Sequence, residues 1–509
     1  MNRSETEIAG RAMVIAEGRV VTKEWWLPSL GALALLVPIG LLYWQLGGPS
    51  ALLTDPINGL QVRTGLWIVG HHAVPRIDLF SFAIAGRKWC DWEWLSDVIY
   101  AILWLWHGLA AVAALSMAIL CATSVIVYLT ARVDTSSVVA LGVTCLVMAA
   151  TTIHWLARPH LFTWLFVAGF CWVIERSRAG GKSTPLFALP LLMLLWVNLH
   201  PGFVAGLMIV AIWWAAELAE ARFSACPEER TAHRKRSQAL ALAGAACLCV
   251  ALVNPYGIGL DRHIIAYLTS PRSVTAHVVE WLSPDFHNPR LQWVELLLPL
   301  GGAAGLWQGW RGRWAWCALT IAWMHLALVS VRNVPIFAIV CVAPLASLAE
   351  ELLKRRGWAS RLRAVDEVLP RSRSATRACC GMACTFLMAV TLSGSLRLGP
   401  PSSLPVQAFA QLPPGRLFTT DRWADYLVYA MPGRKVFFDG RNDLYGEGLV
   451  REYLTMMQAK PGWRTIARKY AFAVALVPAQ SAIAAALESA NDWRLSYRDS
   501  IALIFVRSN

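Results

Sequence analysis

The sequence predicts a polytopic α-helical membrane protein of about eleven spans that ends in a small α/β domain outside the bilayer. Three observations carry this. Hydrophobic residues make up 57% of the 509-residue chain and charged residues only 15%, against about a quarter charged in a soluble protein. Long apolar runs alternate with short basic loops, the pattern of helices that cross a membrane in succession. Near residue 395 the apolar runs stop, and short strand-like and helix-like segments take over. The 26 Trp fit a chain with many membrane–water boundaries. The net charge of +14 does not point to nucleic acid, because the basic residues sit mainly in short loops, where they orient the spans.

Residues 1–24 are polar and mixed in charge, and read as a cytoplasmic segment. The span at 25–45 is followed by no small-residue cleavage signal, so it is an anchor rather than a signal peptide. A long polar loop, 47–108, comes next. Further spans are expected near 109–131, 137–153, 161–175, 184–198, 203–219, 237–253, 292–309, 314–331, 334–352 and 378–394. Loops 175–182, 222–236, 311–313 and 354–377 carry three, five, two and eight basic residues. Placing all four in the cytoplasm puts the N-terminus inside, and loops 47–108 and 254–291 and the tail 395–509 outside. The segment WEWLSDVIYAILWLW (92–106) is apolar enough to be a twelfth span. Counting it reverses every basic loop, and it is short and contains Asp97, so it reads as an in-plane or shallow helix on the outer face. The transmembrane domain is thus 25–394.

In the tail, RLFTT (416–420), KVFFDG (435–440), FAVALVP (472–478), LSYRD (495–499) and IALIFVR (501–507) read as strands. LVREYLTMMQ (449–458) and QSAIAAALESA (480–490) read as amphipathic helices. No glycine-rich phosphate loop follows any of these strands. Ten of the twelve Cys fall inside apolar runs, no CxxC pair occurs and none follows Cys384, so neither a disulfide framework nor a zinc site is expected.

Ionisable and amide side chains at the ends of membrane helices mark sites more often than chance placement does. On the predicted outer face stand Asp55; Arg158 and His160 in ARPHLF; Asn198 and His200 in WVNLHPGF; Asn254 and Tyr256 in VNPYG; and Arg332 with Asn333 in VRNVP. Each has a plainer reading. Arginines anchor helices at the interface, NPYG makes a helix stop and turn, His200 before Pro201-Gly202 caps a helix, and Asp55 caps a helix beginning near Ile57. The adjacent His71 and His72 fit an exposed loop. One carboxylate, two guanidiniums and two imidazoles on one face nevertheless define a candidate cavity.

The order of motifs resembles the GT-C superfamily of integral membrane glycosyltransferases, nearest to uncharacterised bacterial polytopic proteins of that type. The residues that carry the likeness are Asp55-Pro56, PRIDLFSF (75–82), WCDWEWL (89–95), RPHLF (158–162), WVNLHPGF (196–203), NPYG (254–257) and FFDGR (437–441). The resemblance implies a GT-C-like fold in the bacterial cytoplasmic membrane, with in-plane helices in the first external loop and a periplasmic C-terminal domain. It further implies a donor sugar on a polyprenyl phosphate and an acceptor hydroxyl on a glycan, lipid or protein. By the same resemblance Asp55 is the general base, and in some relatives such a residue helps hold a divalent metal, Mg²⁺ or Mn²⁺. Arg332, Arg158 and His200 are the candidates for the leaving phosphate, because fixed cations stabilise charge that develops in a dry site. Asp78 and Glu93 are further carboxylates of the first loop, able to share acid–base work with Asp55. His160, Asn198, Asn254 and Tyr256 complete the expected pocket. The helix after Asp55 lacks the second acidic residue that many superfamily members carry. Two other functions fit the same topology: a transporter or flippase of a lipid-linked or polar solute, against which stand the lack of internal repeats and of mid-span charges, and a non-catalytic scaffold. The segments 421–429 and 437–446 then contact acceptor sugars or pack the tail domain.

Overall fold

The computed structural model describes residues 29–270, 278–368, 373–394, 396–399 and 403–508. The predicted segment 1–24 and the first residues of the opening span lie outside them. In chain order the helical part runs α1 (Leu30–Leu46), α2 (Ile57–His71), α3 (Trp94–Ala131), α4 (Ser137–Thr151), α5 (His160–Gly180), α6 (Ala188–Leu199) and α7 (Phe203–Phe223). It continues α8 (Pro227–Ala251), α9 (Ile258–Leu268), α10 (Gln292–Trp310), α11 (Trp314–Val329), α12 (Val334–Val340), α13 (Val342–Arg355), α14 (Ala359–Val368) and α15 (Arg373–Leu392). A helix therefore lies on each predicted span, with α2 in the loop 47–108 and α9 in the loop 254–291.

Length and hydropathy separate these helices. Among the described residues, Trp94–Ala131, Ser137–His154 and Phe203–Phe223 are long and apolar enough to cross a membrane. The pair Val331–Val340 and Val342–Arg355, bent by 51°, makes a fourth if it is one broken span. Leu30–Leu46, Thr184–Leu199, Trp314–Val329 and Thr376–Leu392 are apolar but shorter. The remaining expected spans are diluted by charge, as in α8, which opens on PEERTAHRKR, or by Gly, Gln and Pro, as in α10. The apolar segment 92–106 is the first arm of α3. His107 and Gly108 break that helix, and Gly108 adopts φ 62°, ψ −155°, a backbone region that side-chain-bearing residues avoid.

Packing inside the helical part follows membrane logic, in which polar groups find partners within the protein. The hydroxyls of Ser116, Thr123 and Thr144 donate to the carbonyls of Val112, Ile119 and Ala140, four residues back on their own helices. Ser124 donates across to the Ala34 carbonyl and ties α3 to α1. Small residues allow close helix approach: a Cβ on Gly305 of α10 would lie 2.8 Å from the Thr320 side chain of α11.

The tail forms α16 (Val406–Ala410), β1 (Leu417–Phe418), α17 (Asp421–Ala430), α18 (Asn442–Met457), α19 (Trp463–Lys469), β2 (Val474–Pro478), α20 (Ala482–Glu488), β3 (Trp493–Arg498) and β4 (Ala502–Arg507). Its sheet has the order β1-β2-β4-β3, with β1 parallel to β2 and the other pairs antiparallel. The expected strand 435–440 is not part of that sheet. Instead, the Val436 N–H donates to the Phe80 carbonyl and the Phe82 N–H donates to the Val436 carbonyl, both at 2.9 Å, so this segment pairs with the first external loop. Phe437 and Phe438 are buried in the domain core at the same time. α2 is held between α3 and α17. A Cβ on Gly65 would lie 1.9 Å from the Asp97 carbonyl oxygen, and a Cβ on Gly59 would lie 2.5 Å from that of Tyr429.

This sandwich gives the first prediction. Gly65→Ala overpacks the α2–α3 contact and is expected to cost about 1–3 kcal/mol, read as a lower melting midpoint in detergent. Gly70→Ala, on the same helix with open space around its Cα, is expected to leave the midpoint unchanged or raise it.

Candidate functional site

A cavity of about 1000 Å³ opens where the first loop, the loops between helices and one corner of the tail domain converge. Its wall includes Gln61 of α2; Asp91, Glu93 and Asp97 at the start of α3; His154, Arg158 and His160; His200; Glu280 and Trp281; Arg332; and Arg441 to Asp443. Most of these side chains come from loops, and backbone bonds hold the loops in place. The Ala157 N–H donates to the Leu52 carbonyl at 2.7 Å, and the buried Asn58 amide donates to the Ala157 carbonyl. These two bonds set Arg158 beside Asp55.

The cationic half is organised by Arg158. Its Nη1 donates to Asp55 Oδ2 at 3.2 Å and also to Glu280 Oε1. His154 Nε2 lies 3.7 Å from the same Glu280 oxygen. Burial alone would raise the Glu280 carboxyl, but Arg158, with His154 and Arg332, more than offsets it and holds it at about 2. Burial likewise works against the Arg158 charge, and Glu280 and Asp55 reverse that, so the guanidinium is held above its ordinary value. Arg332 stands apart. Its guanidinium lies 4.6 Å from the Trp281 ring centroid, and among the described residues it makes no ion pair with a carboxylate. Such a cation is available to a ligand.

The acidic half is organised by Glu93. Its Oε2 accepts from Gln61 Nε2 at 2.9 Å, and its Oε1 lies 3.4 Å from His200 Nε2. The tautomer of His200 follows from its other nitrogen. Nδ1 accepts from the Gly202 N–H at 3.0 Å and contacts the Thr163 hydroxyl at 2.8 Å. A backbone N–H can only donate, so in the neutral ring the proton sits on Nε2, facing Glu93. Gly202 is required there, because a Cβ would lie 2.2 Å from Thr163 Oγ1. Burial, more than any neighbour, raises the Glu93 carboxyl to about 7. Burial and the Glu93 charge also raise Asp91. Among the described residues, Asp91 Oδ2 and Asp97 Oδ1 are buried without a hydrogen-bond partner.

Of the expected residues, Arg158, Arg332, His200, His160 and Glu93 share the cavity wall, and Asp55 meets them through Arg158. Asp55 also caps α2, its Oδ1 accepting from the Ile57 N–H at 3.2 Å. Four others stand elsewhere. Asn198 accepts from Trp94 Nε1 and donates to the Val253 carbonyl. Asn254 closes its own turn by accepting from the Tyr256 N–H. The Tyr256 hydroxyl accepts from the Asp91 N–H and donates to the Pro75 carbonyl. Asp78 is buried against Arg441, 2.7 Å from Nη2. Sequence reasoning missed Glu280 and His154, which belong to no recognisable pattern. It also missed Asp91 and Arg441, both of which lie inside quoted motifs.

A divalent cation does not fit this donor set. Asp55 and Glu280 are already bridged by Arg158, and among the described residues no three carboxylate, imidazole or thiol ligand atoms of the cavity wall lie within 4.8 Å of one another. Among the described residues, Glu217, Glu220 and His233 bring ligand atoms within 4.8 Å of one another at the far end of α7, but Arg236 Nε lies 3.0 Å from Glu217 there.

No protein-family profile and no curated protein matches the chain. Solved structures do. The Archaeoglobus fulgidus oligosaccharyltransferase in its apo form is similar with a TM-score of 0.54 and 12% identity, over 90% of this chain and 70% of that one. The same archaeal enzyme, AglB, in complex with an inhibitory peptide and a dolichol-phosphate gives 0.54 and 12%, over 88% and 69%. The form tethered to an acceptor peptide with an NVT sequon gives 0.54 and 11%, over 94% and 74%. At such identities the likeness is one of fold alone: the chain shares the fold of this oligosaccharyltransferase.

The Glu93 environment makes a testable statement about pH. Its carboxyl binds a proton more tightly folded, at about 7, than at its ordinary 4.5. Its contribution to stability is therefore full below about 4.5 and is lost as pH rises through about 7. Glu93→Gln is expected to flatten this dependence and to raise the melting midpoint at pH 8 relative to pH 5, measured by thermal unfolding in detergent. Equal pH dependence in both proteins would show that Glu93 is ionised throughout.

Proposed function

We propose that the chain is a GT-C glycosyltransferase that moves a sugar from a polyprenyl phosphate to an acceptor hydroxyl at the outer face of the bacterial cytoplasmic membrane. The observation that carries this reading is the cavity itself, with a guanidinium, Arg332, that makes no ion pair among the described residues, in the same wall as a carboxylate of raised proton affinity, Glu93. In the reaction the acceptor oxygen attacks the anomeric carbon and loses its proton to a carboxylate. The bond from that carbon to the phosphate oxygen breaks with inversion, and the polyprenyl phosphate leaves with the electron pair. Arg332, supported by Arg158 and His200, stabilises the charge that grows on the phosphate. The basic loops support a topology with the tail domain and both long loops outside, and in that topology the cavity lies at the outer membrane rim, where a lipid-linked donor resides. The dolichol-phosphate bound by AglB is a ligand of the same chemical kind.

Asp55 takes the role of base in this reading, following the superfamily. A second candidate is favoured by a specific observation: both Asp55 oxygens are engaged, by Ile57 N–H and Arg158, whereas Glu93 lines the cavity with a proton affinity matched to neutral pH.

The test offers labelled polyprenyl-phosphate sugars to the purified protein. Arg332→Ala is expected to lower turnover roughly 100-fold or more. If Asp55 is the base, Asp55→Asn abolishes turnover and Glu93→Gln only shifts its pH profile. If Glu93 is the base, Glu93→Gln abolishes turnover and the wild-type rate rises through a pH near 7. No turnover with any donor would leave the transporter and scaffold readings, and turnover unchanged in all three variants would place the chemistry on other residues.

A further inference from the structure

We infer that Arg158 occupies the place a divalent cation would take, and that the cavity works with this built-in positive charge and without a metal. Asp55 and Glu280 come from loops far apart in the chain, and they are joined through one guanidinium nitrogen that donates to both. Hard divalent cations need several oxygen ligands around them. Here the space between the two carboxylates is spanned by Nη1, and the next neighbours are the His154 ring and the Arg332 guanidinium, neither of which supplies an oxygen. Arginine does not give up its proton in proteins, so it cannot step aside as a deprotonated residue would. The side chain is four-fifths buried, with its loop pinned by Asn58 and the Leu52 carbonyl, so its position is fixed by the fold. The fixed charge does what a metal does for such a pair: it offsets the charge of the two carboxylates and draws the first loop to the second.

The inference deepens the proposed function, since it makes the transfer metal-independent, but its test reads ion binding and not turnover. The full chain is purified in detergent in a His233→Ala background, which removes the cluster at the far end of α7, and is stripped with a chelator. Mn²⁺ is then added and the free ion followed by its paramagnetic resonance signal. The wild-type cavity is expected to take up no Mn²⁺ that Glu280→Gln or Asp55→Asn abolishes. Arg158→Ala, which leaves the two carboxylates facing each other, is expected to gain an Mn²⁺ site, and Arg158→Ala/Glu280→Gln to lose it again. Uptake by the protein with Arg158 intact that either carboxylate substitution removes would overturn the inference. So would a well-folded Arg158→Ala that gains nothing. Should Arg158→Ala not fold, the comparison of the two carboxylate variants with the Arg158-containing parent decides: equal uptake in all three supports the inference, and a loss in either variant ends it.

Discussion

Arg441 carries a full positive charge into the protein interior, and the surrounding structure is arranged to keep it there. Its Nη2 donates to Asp78 of the first loop at 2.7 Å and to Asp439 at 2.6 Å, while its Nε donates to Asp439 at 2.9 Å. The guanidinium lies 4.6 Å from the Trp89 ring centroid and 5.1 Å from that of Phe80. Removing Arg441 would leave the Asp78 and Asp439 carboxylates buried together with no cation between them, which is far costlier than never having built the group. The clamp therefore fixes the tail domain against the first loop, and with it the wall formed by Gly440 to Asp443 on one side and Asp91 to Glu93 on the other. One nitrogen, Nη1, remains buried without a partner.

The cavity so formed has two electrostatic zones. Around Arg158 and Arg332, two guanidiniums meet two carboxylates, and Arg158 binds both Asp55 and Glu280, which leaves Arg332 with no ion pair among the described residues. Around Asp91 and Glu93, burial raises the proton affinity of both carboxyls, and the Glu93 charge raises Asp91 further. Charge separation of this kind across one cavity suits a reaction in which a proton is taken up at one end and negative charge appears at the other.

The sequence made the helical architecture and its punctuation legible, because apolar runs and basic loops are local signals. It placed a helix on each span and recognised strands at 417–418, 474–478, 493–498 and 502–507 in outline. It misread 435–440, whose FF pair suits a strand. Alternating burial says nothing about which partner a strand will choose, and this one chose the first loop. In the site, Arg158, Arg332, His200 and Glu93 were visible as polar groups at helix ends. Asn254 was equally visible, yet its side chain does what NPYG turns require and no more. Glu280 had no local signal at all. Its place is decided by a contact with Arg158, more than a hundred residues away, and only the folded chain shows that.

The pairing of Val436 with the first loop has a consequence for modularity. Phe82, Ala83 and Ile84 pack against the same hydrophobic cluster as Phe437 and Phe472, and Tyr267 of α9 joins them. The tail domain thus borrows part of its interior from two stretches that belong, by chain position, to the membrane-embedded half. Cutting or grafting at residue 395 would divide a single apolar nucleus between two polypeptides. The unit that folds and that descent can exchange intact is the tail together with the loop that completes it.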